Sequence, residues 1–249
     1  MSPREDLALI ELASASDVGR QRSDNQDRDL LAPPIIAVAD GMGGHLGGGT
    51  AAAMAVDALR GVGHATDPTA LLGALKDANR AIARAASDDP GLAGMGTTAT
   101  AALLEGGILY LVHVGDSRAY LIRGGRIIQV TDDHSVVAEM VRRGALSADA
   151  AETHPARHVI TRALGVDADL QIDALRVDLE PGDVVLLCTD GLSGPVGDEQ
   201  IREAVEEAAT LEDAAAALVD RANAAGGPDN VTVVLARVDA VTREAAATG

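Results

Sequence analysis

Short apolar runs alternate with amphipathic stretches along the 249 residues. Residues 7–18 mix apolar and small side chains and predict a strand. "IIAVA" (35–39) predicts a short buried strand. From Thr50 to Arg60 an Ala-rich stretch predicts a helix, with Thr50 as its N-cap. "DPTALLGALKDANRAIARAA" (67–86) predicts a second helix. Asp67 can cap it, Pro68 suits the first helical position, and Leu71, Leu75, Ala78, Ile82 and Ala85 form one apolar stripe. After Gly96 the period changes. "TTATAALLEGGILYLVHVGDSRAYLIRGGRIIQVT" holds β-rich runs split by Gly106–Gly107 and Gly124–Gly125, the signature of hairpin turns in an antiparallel meander.

Residues 135–152 read as helical or mixed, and 170–178 and 183–188 as strands around the turn "EPGD". Helices follow at about 198–208 and 211–225, then a last strand, "NVTVVLARV", and a polar tail from Asp239. There is no internal repeat and no linker, so residues 1–249 are expected to form one domain with a core at about 7–238. Helices come in pairs and strands in hairpin runs. That order predicts an α+β fold of antiparallel sheet with helix layers outside, rather than an alternating parallel sheet.

Composition narrows the function. Apolar residues make up 47%, but Phe and Trp are absent and there are only two Tyr. Ala, Val, Leu and Ile must therefore fill the core, and there are no aromatic platforms for bases. The formal charge is -18 and Lys76 is the only lysine, a balance that repels nucleic acid and anionic membrane and suits divalent cations. Cys188, the only cysteine, sits inside "VVLLCTD" and reads as a small buried hydrophobe. No apolar stretch reaches the ~20 residues of a membrane span. The N-terminal residues do not resemble a leader, so the expected compartment is the cytoplasm.

The chemistry gathers at "IIAVADGMGGHLGGGT" (35–50), where Asp40 ends a strand and six of the next nine residues are Gly. A phosphate cradle, a metal-holding turn and a flexible loop all begin this way. A Walker A loop needs a Lys that is absent here, and a dinucleotide fingerprint from Gly41 meets Leu at position 46. The metal reading draws on a recurrence. Asp40, Asp116, Asp190 and Asp229 all lie at ends of apolar strands, three beside Gly and the fourth after Pro. Each alone is an ordinary turn signal. Together, with few basic residues nearby to pair them, a hard cation could offset the cost of their burial, although spacing alone does not bring the four together; oxygen-only ligands favour Mg2+ or Mn2+ over Zn2+.

Taken together, "SDVGRQRSDNQDR" (16–28), "VADGMGGHLGG" (38–48), "GTTATAALL" (96–104), "LVHVGDSRAYLIRGGRIIQVTDDHS" (111–135), "VITRALG" (159–165), "LEPGDVVLLCTDGLSG" (179–194) and "GPDNVTVV" (227–234) resemble the metal-dependent serine/threonine protein phosphatases, the type 2C or PPM family, in their bacterial single-domain branch. The resemblance implies a four-layer α-β-β-α sandwich with two central antiparallel sheets flanked by helices. It also implies that Asp40 bridges two Mn2+ or Mg2+ ions, with the Gly41 carbonyl, Asp190 and Asp229 as further ligands. Asp27 would orient metal-bound water, Arg22 would hold the substrate phosphate, Asn230 and Gln26 would support the site, and Asp116 would bind a third, weaker ion. Two ions ~3.5–4 Å apart would let a bridging hydroxide attack phosphorus directly, with no Ser or Cys nucleophile. The implied partners are phosphorylated proteins and a cognate serine/threonine kinase, with the enzyme expected to be a monomer.

Departures from the family pattern qualify this. Position 26 is Gln where many members carry Glu, Met42 stands where eukaryotic members often carry His, and Gly49 replaces a frequent Glu. A catalytically weak phosphoprotein-binding module and a small-molecule phosphatase are the rival readings. Among the histidines, His45 reads as loop-shaping, His64 as surface and His113 as a packed strand residue. His154 and His158, four apart in "HPARH", lack a zinc-hydrolase context. His134 and residues 135–160 fall where the family has a flap beside the site. Arg20 and Arg28 read as solvated, although Arg20 would share a face with Arg22 if their strand persisted.

Overall fold

Strands that are apolar on both faces need cover on both faces. The computed structural model describes residues 7–43, 47–63 and 67–240. The chain runs β1 (Leu7–Asp17), β2 (Arg28–Ala32), β3 (Ile35–Ala39), β4 (Gly41–Met42), α1 (Gly47–Gly61), α2 (Thr69–Asp88), β5 (Gly96–Thr97), β6 (Ala99–Glu105), β7 (Ile108–Val114), β8 (Arg118–Arg123) and β9 (Arg126–Gln129). It continues through α3 (Val136–Arg142), α4 (Ala148–Glu152), β10 (Asp173–Asp178), β11 (Val184–Cys188), α5 (Asp190–Ser193), α6 (Asp198–Glu207), α7 (Leu211–Ala224) and β12 (Val231–Ala240). One sheet has the order β1-β12-β11-β8-β9 and the other β10-β7-β6-β3-β2, while β4 and β5 form a small ribbon. All named strand pairs are antiparallel. No helix among the described residues is long and apolar enough to cross a membrane.

Alternation along the strands sorts side chains into three cores. Ile36 and Val38 of β3 point between the sheets, where they join Leu111, Leu121, Leu187 and Val234. Their neighbours Ile35, Ala37 and Ala39 point the other way, onto α1 and α2. In β11, Val185 and Leu187 face inward while Val184, Leu186 and Cys188 face α6 and α7. The result is helix, sheet, sheet, helix. Ala51, Ala52 and Ala55 of α1 are fully buried, so small side chains let that helix lie close to its sheet. Each fully buried Ile or Leu here contributes about 1.5–3 kcal/mol.

Some local expectations shift. α1 begins at Gly47, so Thr50 lies inside the helix and is not its N-cap. The earlier start is possible because Gly48 packs on β4: a Cβ there would lie 2.6 Å from the Gly41 carbonyl oxygen. Asp67 does accept from the Thr69 N–H at 2.9 Å, but Pro68 occupies the cap position, one residue earlier than expected. Both Gly-Gly pairs have positive φ at each residue, as the hairpin turns require. The two hairpins are not one meander, however. Between β7 and β8 the chain leaves one sheet for the other, and Asp116 lies at that crossing. β2 went unforeseen. β10 starts at Asp173 rather than 170, and β1 ends at Asp17, so Arg20 and Arg22 belong to a loop and share no strand face. β12 runs on to Ala240. His45, His64 and the tail beyond 240 lie outside the described residues.

Candidate metal centre

The strand ends converge at one edge of the sandwich. Asp40 directly follows β3 and is fixed through its backbone. Its N–H donates to Thr98 Oγ1 at 2.9 Å, and its carbonyl accepts from the Thr98 N–H and from Thr97 Oγ1, both at 2.9 Å. Gly41 pairs with Thr97 across the β4–β5 ribbon. A Cβ on Gly41 would lie 2.2 Å from the Gly48 carbonyl oxygen and 2.7 Å from that of Gln26, so only glycine fits. Asp190 opens α5 just after β11. Asp229 precedes β12; its Oδ1 accepts from the Asn230 N–H at 2.8 Å and its Oδ2 from Arg22 Nη2 at 2.6 Å.

Asn230 is the staple for the Arg22 loop. Its Nδ2 donates to the Val18 and Asp24 carbonyls, both at 2.9 Å, and its Oδ1 accepts from the Gln26 N–H at 2.8 Å. Gln26 also donates through Nε2 to Asp24 Oδ2 at 2.9 Å. Asp27 Oδ2 accepts from Thr189 Oγ1 at 2.9 Å, and that same hydroxyl accepts from the Thr232 N–H at 3.0 Å. Beside Asp116, the Ser117 and Thr98 hydroxyls are hydrogen-bonded at 2.8 Å.

Burial and mutual repulsion dominate the electrostatics. Burial pushes Asp27 up to about 7, reinforced by the charges of Asp190 and Asp229 against hydrogen bonds from Thr232 and Thr189. Burial, then Asp190 and Asp133, raise Asp116 to about 7 as well. Asp40 keeps a partly open surface, yet it is packed deeply among protein atoms. Burial, then Asp27, Asp190, Asp116 and Asp229, hold it well above the ordinary carboxylate range. Asp190 is raised by burial and by Asp229, while the charges of His158 and Arg22 and a hydrogen bond with Asp40 pull it back.

Three side-chain oxygens among the described residues are buried with no hydrogen-bond partner: the carboxylate Oδ1 atoms of Asp27 and Asp190 in this cluster, and the amide Oδ1 of Asn223. Unpartnered carboxylate oxygens in a cluster of like charge are what a hard, oxygen-seeking cation satisfies, so the donor set fits Mg2+ or Mn2+. As they stand, no three His, Cys, Asp or Glu side chains among the described residues are drawn tightly enough together to grip one ion. Arg22 meanwhile neutralises Asp229.

Other expected residues take different parts. Arg20 pairs with Asp17 at 3.3 Å, and Arg28 braces the Asp27 loop by donating to the carbonyls of Asn25 and Asp27 at 3.0 and 2.6 Å. His113 is a packed strand residue. It is hydrogen-bonded to Thr100 Oγ1 at 2.9 Å and the Asp132 carbonyl at 3.1 Å, and burial pushes it down to about 4. His134 is buried: Nδ1 accepts from the Gly115 N–H and Nε2 meets Asp173 Oδ2, both at 3.1 Å. It braces the Asp116 turn from behind. His154 accepts from the Ala156 N–H at 3.1 Å within its own turn. His158 is exposed and its charge acts on Asp190, a proximity that the sequence did not suggest. Thr97, Thr98 and Thr189 also went unnoticed, although "TTAT" and "CTD" carry polar residues beside apolar strands where a packing role alone would favour Val.

The fold is thus a four-layer α-β-β-α sandwich with a cluster of buried carboxylates at one edge of its two sheets. The chain belongs to the protein phosphatase 2C family, whose sequence model matches residues 14–236. It is 40% identical over 234 residues to the serine/threonine protein phosphatase PstP of Mycobacterium tuberculosis, covering 92% of this chain but spanning only 45% of PstP. It is 37% identical over 239 residues to the serine/threonine phosphatase stp of Listeria monocytogenes, covering 90% of this chain and 94% of that one. The crystal structure of M. tuberculosis PstP superposes with a TM-score of 0.88 at 38% identity, over 94% of this chain and 100% of that chain. The PstP catalytic domain in complex with 2 manganese ions gives 0.86 at 39% identity, over 94% and 99%.

Proposed function

We propose that the chain is a metal-dependent protein phosphatase that hydrolyses phosphoserine and phosphothreonine esters in proteins. The two buried, unpartnered oxygens of Asp27 and Asp190 carry this reading, set as they are among the further carboxylates of Asp40, Asp116 and Asp229. Asp40, the Gly41 carbonyl, Asp190 and Asp229 would hold two Mn2+ or Mg2+ ions, and Asp116 a third. The 2 manganese ions bound by the PstP catalytic domain support that assignment. Such ions, once bound, supply an acidified water and positive charge for the phosphoryl oxygens. Arg22 offers its guanidinium fork to the substrate phosphate; it is more than half exposed and needs only to swing from Asp229. Asn230 fixes the loop that carries Arg22, with Gln26 in the same network. Asp27, fixed at Oδ2 by the Thr189 hydroxyl, would use its unpartnered Oδ1 to orient metal-bound water. Cys188 is no nucleophile, because burial pushes its thiol up to about 12. The substrates would be cytoplasmic phosphoproteins made by a cognate serine/threonine kinase, and the enzyme would act as a monomer.

The test is hydrolysis of a phosphothreonine peptide in chelator, Mg2+ or Mn2+, beside Asp40→Asn and Asp229→Asn. Metal-dependent turnover lost in both variants is expected. Metal binding without turnover would instead make the chain a phosphoprotein-binding module. Faster turnover of small phosphate esters than of phosphopeptides would point to metabolite substrates.

A further inference from the structure

Basic residues are outnumbered 38 to 20 in this chain, yet three arginines meet in one place. Arg142, Arg143 and Arg162 line, with Glu139, a cavity of about 330 Å3. Arg143 pairs with Glu139 at 3.1 Å and Arg162 with Asp173 at 2.9 Å. Arg142 donates to the Asp133 carbonyl at 3.1 Å and forms no ion pair among the described residues. Three guanidiniums thus face two carboxylates, in a protein whose formal charge is -18. Arg142 and Arg143 sit at the end of α3, where cations suit the helix dipole, and that alone would account for two of them. It does not account for Arg162, which reaches the same cavity from outside that helix.

Both walls of the cavity are tied to the metal centre. α3 begins two residues after His134, whose N–H donates to the Gly115 carbonyl at 2.7 Å, beside Asp116. The other wall runs through Arg162 to Leu164, which exchanges backbone hydrogen bonds with Thr97 at 3.1 and 2.9 Å; Thr97 in turn pairs with Gly41. The two strands of contact also meet each other, since Asp173 binds Arg162 through Oδ1 and His134 through Oδ2.

Resting on the phosphatase reading, we infer that this cavity is a subsite for a second phosphoryl group on the same phosphoprotein substrate, so that doubly phosphorylated segments are preferred. A dianionic phosphoryl group can engage more than one guanidinium fork, whereas a carboxylate fills one. The Arg143–Glu139 pair is an i,i+4 surface pair whose guanidinium is largely exposed, and such pairs are weak, so it yields readily to a stronger anion.

The experiment uses the full chain with Mn2+ and synthetic phosphothreonine peptides. One series is singly phosphorylated, a second carries another phosphothreonine at successive positions on either side, and a third has Glu in its place. For at least one spacing the second phosphoryl group should lower KM about five- to tenfold with kcat little changed, and added salt should erase the gain. Arg142→Gln combined with Arg143→Gln should return that KM to the singly phosphorylated value and leave the single-phosphate kinetics alone. Glu139→Gln should enlarge the preference. A KM that no spacing lowers, a preference that survives the double substitution, or Glu peptides that match the doubly phosphorylated ones would each overturn the subsite. If no peptide turns over, the phosphatase reading fails, and equilibrium binding of the same peptides decides the subsite: equal affinity for one and two phosphates refutes it.

Discussion

With divalent cations chelated, the carboxylate cluster should make the fold less stable as pH rises, and the structure sets the window. Asp27 is 3% exposed, and its pKa stands at about 7 against an ordinary 3.8. Its folded value lies above its unfolded value, so the native state binds the extra proton between them. The stability this confers is complete below 3.8 and is lost as pH climbs through about 7. Taken alone, the gap between those values is worth about 4 kcal/mol. Asp116 has the same direction and the same window. The two share Asp190 as a neighbour, so their contributions do not simply add.

The assay is urea unfolding in chelator across that window, for the wild type and for Asp27→Asn. Comparing the two at each pH cancels the many surface carboxylates and the general charge of -18. The absolute stability of the variant does not matter, because the readout is the slope. Relative to the variant, the wild type should lose about 4 kcal/mol, or somewhat less through coupling, between the acid end and neutrality. Mn2+ at a hundred times its dissociation constant should then restore about 2.7 kcal/mol to the wild type at neutral pH. A difference that stays flat across the window, or a wild type that gains on the variant as pH rises, would refute the picture of buried, mutually repelling carboxylates.

Two further substitutions test the supports of the site. Gly41→Ala would drive a Cβ to 2.2 Å from the Gly48 carbonyl, so it should cost about 3 kcal/mol or more in thermal or denaturant unfolding and abolish metal-dependent turnover; near-wild-type stability would contradict the close approach. Asn230→Ala removes three hydrogen bonds to the loop that carries Arg22, so it should destabilise by about 2–4 kcal/mol and raise KM for phosphopeptide more than it lowers kcat; an unchanged KM would show that the loop is held by other means.

The two sheets are legible in the sequence because strand alternation is a local property: "IIAVA" and "VVLLC" declare two-sided burial without reference to anything distant. Asp40, Asp190 and Asp229 are visible for the same reason, as charges placed where apolar runs stop. What local pattern does not reveal is who meets whom. Thr189 reaches Asp27 across 162 residues, Arg22 reaches Asp229 across 207, and nothing near either partner announces the other. The crossing at Asp116 hides likewise, since two successive hairpins read as one meander until the sheets are assembled. Local consistency also fails most clearly at this edge. A well-matched chain places partners beside its buried polar atoms, yet here Asp27 and Asp190 each keep a buried oxygen without one, in a fold whose strands and helices are otherwise conventionally packed. Such a breach costs stability, and a cation bound among these carboxylates, as proposed above, would satisfy both oxygens and offset their mutual repulsion.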